Sequence, residues 1–391
     1  PVVREPHRDV VAVTGHEEAV RVYGDHATLS SCNTVSGPFV KFSVPVEGDD
    51  ISDIIDAHRD ELPFSDQLPS FDPPKHTAHR GLLMRLITPK RLKENEEFMW
   101  RLADRQIDEI LARGSCEFIG EFAQPFTLLV IADLLGVPES DHGLLREKLA
   151  SHAMGIGSSA PMEHKPLEFL YGQFTTYIEE RRREPRADVM GSISTATFPD
   201  GSVPDVHDVA LIAANLFTAG QETTARMFGF ALQVLAEHPD LQQQLRDDHD
   251  LIPPFIEEVL RLESPLKVQF RMARHATEVG GVEVAAGDTV MVLPGAANRD
   301  PRMFECPDEF RLDRPNGRQH LAFGFGIHTC AGAPLARAEG AVGIARLLDR
   351  MHDIRLSDEH HGPAGDRHFD YLPTYFMRAI DNLHLEYSAA P

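Results

Sequence analysis

The residues with the most chemical content form one short run, Phe323-Gly324-Phe325-Gly326-Ile327-His328-Thr329-Cys330-Ala331-Gly332, which sets a single cysteine among glycines. Glycine lacks a Cβ, so its backbone can press against a flat ligand and take positive φ. The following Ala333-Pro334-Leu335-Ala336-Arg337-Ala338-Glu339 reads as a helix start, where the N–H that Pro334 lacks would be unpaired in any case. Such a turn can aim several backbone N–H groups at one sulfur, and the helix start adds positive partial charge. Both effects are expected to lower the Cys330 pKa and hold the thiolate, the form that ligates metal. Set against this, a lone cysteine is commonly a small buried hydrophobe. The Gly324-Gly326 pair does not make a dinucleotide loop: Thr329 stands where the third glycine belongs, and no βαβ pattern surrounds it.

A second constellation is Ala219-Gly220-Gln221-Glu222-Thr223-Thr224, with an acid beside an alcohol. It lies in the middle of a proline-free stretch from Asp205 to His238 that Pro239 ends. A helix of that length runs about 50 Å at ~1.5 Å per residue, enough to cross a whole domain. Glycine and paired threonines are poor choices for its interior, the glycine alone costing roughly 0.5–1 kcal/mol. One account is a tolerated glycine, with the hydroxyls bonded back to carbonyls one turn earlier. The other is a helix locally opened beside a ligand, with an acid and an alcohol to work there. Glu258 and Arg261 form a third pattern, an acid and an arginine one turn apart on a helix.

The elements that must position these groups are mostly helical. Phe98, Leu102, Ile107 and Leu111 recur at helical spacing and predict a helix over 92–111. A more apolar helix is predicted over 126–135, closed by Gly136-Val137-Pro138. Strands are expected at 10–13 and 39–44, and a hairpin over 278–293 with turns at Gly280-Gly281 and Ala286-Gly287-Asp288. The fold class is therefore mainly α with a small β portion, in one domain spanning 1–391. Hydrophobic residues make up 42% of the chain, enough for a sizeable core. No apolar run is long enough for a membrane span, and the first residues lack the apolar stretch of a signal peptide. Cys32, Cys116, Cys306 and Cys330 are widely spaced, which argues against a zinc site or a disulfide framework and suits a reducing cytoplasm. The net charge of −23 disfavours nucleic acid as a partner.

Taken together and in order, these motifs resemble the cytochrome P450 family. The cysteine run matches Phe-Gly-x-Gly-x-His-x-Cys-x-Gly, the Ala219–Thr223 segment matches the oxygen-activation motif, and Glu258 and Arg261 match Glu-x-x-Arg. The resemblance implies a P450-like fold built around one long central helix over haem b. It makes Cys330 the iron ligand and places Phe323, Gly324, Gly332, Ala219 and Gly220 against the cofactor. Ala219 and Gly220 would leave room for O2, Thr223 would act beside it, and Glu222 would relay protons from solvent. His76 with Arg80, and Arg271 with His328, would hold the haem propionates. Arg314, with Arg311 as the fallback, would join Glu258 and Arg261 in a buried supporting network.

By the same resemblance, Asn215, Thr218, Lys267, Val268, Gln269, Thr374 and Phe376 would face the substrate. The implied activity is a monooxygenase that inserts one oxygen atom from O2 into a hydrophobic small molecule by C–H hydroxylation. Electrons would come from a separate ferredoxin with its NAD(P)H-dependent reductase. The basic residues between Lys75 and Lys93 form either a dock for that partner or an ordinary solvated face. A haem-thiolate enzyme that uses peroxide or forms bonds is one alternative, and a non-catalytic haem-binding sensor is another. The cluster His360, His361 and His368 lacks metal-ligand spacing and is expected in a solvated loop.

Overall fold

The computed structural model describes residues 1–151, 168–186, 188–198 and 200–390, and it is mostly helical. Its axis is one helix, Val206–Glu237, capped by the Asp205 side chain accepting from the His207 N–H. The neighbouring helix Gln124–Leu135 is apolar nearly all round, is buried accordingly, and ends at Gly136 with φ +70°. It packs along the central helix, as does the helix Glu168–Arg183. The helix Ala333–Arg350, which leaves the cysteine loop, packs against Pro89–Leu111 and also touches the central helix. A large apolar cluster drawn from all of these forms the main core.

Among the described residues, ten strands make three small sheets: β1 (Val2–Glu5), β2 (Val10–Val13), β3 (Leu29–Ser30), β4 (Ser115–Glu117), β5 (Gln269–Ala273), β6 (Thr277–Val279), β7 (Val282–Val284), β8 (Thr289–Val292), β9 (Met351–Leu356) and β10 (His384–Ala389). The largest runs β1-β2-β8-β5-β3, the second β4-β10-β9, and the third pairs β6 with β7. β2 lies parallel to β8, and β5 lies antiparallel to β8 with Arg271 opposite Val290. This sheet fixes where Arg271 points.

Two expectations need correction. Residues 39–44 form no strand. Pro38 and Pro45 bracket the segment, and the Ser43 N–H and hydroxyl bond to the Glu61 carboxylate instead of a strand partner. The hairpin is also shorter than expected. Gly280-Gly281 does turn β6 into β7, but β8 leaves to pair with β2 and β5. Of the histidine cluster, His360 and His368 are exposed as expected, whereas His361 is buried, its Nδ1 bonded to the His368 carbonyl and its Nε2 accepting from the His384 N–H.

Glu339, on the helix after the cysteine loop, is fully buried, and neither of its carboxyl oxygens has a hydrogen-bond partner among the described residues. Burial raises its pKa well above 4.5. The unfolded chain therefore releases this proton first as pH rises. Glu339 costs no stability below about pH 4.5 and progressively more above it. Glu339→Gln should stabilise the protein most in alkaline buffer, with the gain shrinking as pH approaches about 4.5 in urea denaturation. A gain that does not vary with pH would contradict a neutral Glu339.

Candidate active site

The cysteine loop folds back on itself because the Cys330 N–H donates to the Phe323 carbonyl at 2.8 Å. Gly324 and Gly326 have φ +67° and +72°. At Gly326 a Cβ would also lie 2.7 Å from the Tyr23 carbonyl oxygen, so only glycine fits. The Gly332 and Ala333 N–H groups point at the Cys330 sulfur, and the Arg80 charge acts on it too. All of these pull the thiol pKa down, yet burial outweighs them and the net shift is upward. The expectation of a lowered pKa is thus corrected: protein surrounds the thiol, while its own surface remains open on the ligand side. N–H donors aimed at a desolvated sulfur suit a thiolate that is stabilised by a bound cation.

Around this loop gather the four groups expected to hold carboxylates. Arg80 Nη2 donates to the Thr329 carbonyl at 2.6 Å. His328 Nε2 meets Ser31 Oγ at 3.0 Å, and its ring centroid lies 4.2 Å from that of His76. Arg271 is buried, with Nη1 on Thr34 Oγ1 at 2.9 Å and on the Phe270 carbonyl at 2.7 Å. Neither ring nitrogen of buried His76 has a hydrogen-bond partner among the described residues. Among the described residues, none of the four makes an ion pair with a carboxylate. Burial, then Arg80, pushes the His76 pKa down to about 4; burial, then Arg271 and His76, pushes His328 down to about 2. Burial also lowers both arginines. Buried Arg271, half-buried Arg80 and two imidazoles, none of them ion-paired and only Asp72 acting on them from further off, form a cradle suited to an anion beside a thiolate. The carboxylates and metal of a haem meet that description.

The acid and the alcohol lie on the central helix. Its residues are buried over 209–214, 216–218 and 224–232, but Ala219 is exposed and 220–223 are half-buried. The helix is continuous across this window, so it is not opened. Thr223 Oγ1 donates to the Ala219 carbonyl at 2.7 Å, and Thr218 Oγ1 to that of Ala214 at 3.0 Å. Gly220 faces Ile131, whose Cδ1 would lie 3.3 Å from a Cβ there. Its small size therefore serves helix packing, and Ala219 is the residue that borders open space. Glu222 is held by Arg226, one turn on, with Nε at 2.8 Å. Arg226 also donates to the Ile380 carbonyl at 2.9 Å. Thr127 Oγ1, 3.0 Å from the Gln221 carbonyl, braces the window from the neighbouring helix.

Under the loop lie two adjacent buried acids. Glu258 accepts two bonds from Arg261, each 2.8 Å, and Arg314 Nε lies at 3.0 and 3.2 Å from its two oxygens. Arg314 thus occupies the second arginine position, while Arg311 contributes only its backbone N–H. Glu257 was not singled out from sequence. It binds His320 at 3.0 Å and Arg337 at 2.6 and 3.0 Å. Burial alone would raise its pKa, but those partners hold it at about 2. Arg337 also lies over the Phe323 ring at 4.7 Å, which ties this network to the cysteine loop.

Of the positions expected to face substrate, Asn215 is half-buried one turn before the window, and Thr218 is buried. Gln269 places its amide 3.8 Å from a Cβ position on Gly324. Strand alternation sets Val268 on the opposite face, with Phe270, and Val268 is buried. The Lys267 N–H donates to the Phe376 carbonyl and its ammonium to the Thr374 carbonyl. The basic residues of 75–93 are dispersed: Arg80 turns inward, Lys75 lies over Phe71, Arg85 reaches the Thr197 carbonyl and Lys90 pairs with Glu94.

The cysteine loop, the cationic cradle and the window define a haem-thiolate enzyme. The family model for Cytochrome P450 matches residues 174–353. The Mycobacterium marinum cytochrome P450 CYP150A6, in its substrate-free form, is 53% identical, with a TM-score of 0.94 over 100% of this chain and 93% of that one. CYP109E1 from Bacillus megaterium is 26% identical, with a TM-score of 0.81 over 99% and 94% of the two chains. Cytochrome P450 144 of Mycobacterium tuberculosis is 35% identical over 329 residues, 81% of this chain and 72% of its own length. The chain belongs to the cytochrome P450 family of monooxygenases, oxidoreductases that carry haem b. No helix among the described residues is long and apolar enough to cross a membrane.

Removing one partner of a buried ion pair leaves a charge uncompensated, at about 3–5 kcal/mol. Arg314→Ala should lose that much stability in urea denaturation and take up less haem. A loss below about 1 kcal/mol, the range of surface pairs, would contradict a supporting role for the Glu258 network.

Proposed function

We propose that this enzyme hydroxylates a C–H bond of a hydrophobic small molecule with O2, using electrons from a separate ferredoxin and its NAD(P)H-dependent reductase. The observation that carries the proposal is the accessible window in an otherwise buried helix, which presents Glu222 and Thr223 side by side. The solved CYP109E1 structure is a complex with corticosterone, which supports a hydrophobic substrate here as well.

Haem held by the Cys330 thiolate would supply O–O bond cleavage, which thiolate ligation favours. His76, Arg80, Arg271 and His328 would bind its carboxylates and fix its orientation. The Thr223 hydroxyl donates to the Ala219 carbonyl, so its lone pairs are free to accept from a water in the window. That water is the proton donor the reaction needs, and Thr223 keeps it in place. Glu222 is held by Arg226 at the edge of the window, and a turn of its side chain away from Arg226 would let it carry a proton inward. The buried residues on either side of the window keep bulk water out.

Thr223→Ala should leave NAD(P)H consumption close to wild type while product per NAD(P)H falls roughly tenfold, the loss appearing as hydrogen peroxide. Labelled O2 should place one labelled atom in the wild-type product. Unchanged coupling would remove Thr223 from the mechanism. Product without label would favour a peroxide-using or bond-forming enzyme.

A further inference from the structure

Lys267 is the one substrate-facing candidate that carries a charge, and no carboxylate among the described residues pairs with it. Its ammonium donates to the Thr374 carbonyl at 2.7 Å, and no carboxylate lies within ion-pair distance among the described residues. Acids are not scarce, with 61 Asp and Glu against 38 Lys and Arg. The acid closest in the chain, Glu263, is already taken by Arg378 and Arg299. Burial and the Arg378 charge both lower the Lys267 pKa, as for a cation waiting for a counter-charge.

Its direction follows from the backbone. Leu266 bridges to Met377, the Lys267 N–H bonds to the Phe376 carbonyl, and β5 continues from Gln269, so the segment is extended. Alternation then puts Lys267, Gln269 and Arg271 on one face. Gln269 and Arg271 border the cysteine loop, and Arg271 acts on His328. Four residues of extended chain separate Lys267 from Arg271 by about 13 Å. A counter-anion at Lys267 is thus a different group from the carboxylates that the Arg271 cradle would hold. The loop that carries Thr374 runs on through Ile380, whose carbonyl anchors Arg226 and through it Glu222. Under the proposed function Lys267 therefore stands on the rim of the substrate space, tied to the strand beside the cysteine loop on one side and to the segment that anchors Glu222 on the other.

Building on the proposed monooxygenase function, we infer that Lys267 anchors a carboxylate on the substrate, so that the substrate class is an apolar molecule with one acidic end. The carboxylate replaces or joins the Thr374 carbonyl at the ammonium, and the apolar body extends from the rim toward the Ala219–Thr223 window. Oxidation then falls at a carbon remote from the acid.

The test is calorimetric titration of the holoenzyme with decanoic acid and methyl decanoate, with the Soret band followed in parallel. Decanoic acid should bind roughly tenfold tighter than its ester, as expected for a hydrogen bond to a charged group. Lys267→Met should erase the preference while binding of the ester persists, and Lys267→Arg should retain it. Lys267→Gln serves as the neutral variant if Lys267→Met does not fold. Equal affinities for acid and ester in the wild type, or a preference that survives in the neutral variant, would overturn the inference. A preference that depends on Lys267 without any thiolate-haem spectrum would support the anion anchor and overturn the haem assignment instead, so the two readings fail separately.

Discussion

The structure turns on positive charge that no carboxylate among the described residues pairs with. A guanidinium out of water without a carboxylate partner is disfavoured, yet buried Arg271 and half-buried Arg80 stand without one beside His76 and His328, while Asp72, held by Arg59 and Arg274, acts on Arg271 only from further off. Helix Lys75–Leu83 delivers Arg80 and His76, strand β5 delivers Arg271, and the cysteine loop delivers His328. Three parts of the chain far apart in sequence are thus fixed around a site suited to an anionic occupant. Haem, with its two propionates, would complete the charge balance there as well as supplying the chemistry.

The same physics is satisfied internally one layer below. Glu257 and Glu258 are buried next to each other, and each is saturated by its own cations, His320 with Arg337 and Arg261 with Arg314. These networks tie the helix Ile252–Leu262 to the cysteine loop and the segment before it. Their value is in fixing geometry, since ion pairs taken out of water add little net stability. Closed networks beneath and an open cradle above separate what holds the site from what binds in it.

Much of this was legible because it is local. The cysteine run, the acid-alcohol pair and the limits of the central helix depend on residues within a turn or two of one another. So does the Glu258–Arg261 spacing, and the order of the motifs made Arg314 the natural third member. What escaped depends on distant contacts. Glu257 looked like an ordinary neighbour of Glu258 until His320 and Arg337 arrived from some 60–80 residues away. Gly220 looked like space for O2, but Ile131 of another helix claims that space. The cysteine loop showed the donors that lower a thiol pKa, whereas desolvation, which wins, is set by everything packed around it. Residues 39–44 had strand-like side chains but no partner, and pairing is decided by the whole sheet.

The central claim is that Cys330 presents a thiolate to a haem held by Arg80, Arg271, His76 and His328. The most direct measurement is the absorption spectrum of the dithionite-reduced protein with CO. A strongly red-shifted Soret band that disappears in Cys330→Ser is the predicted result. A band at the position typical of histidine-ligated haem, unchanged by Cys330→Ser, would contradict it.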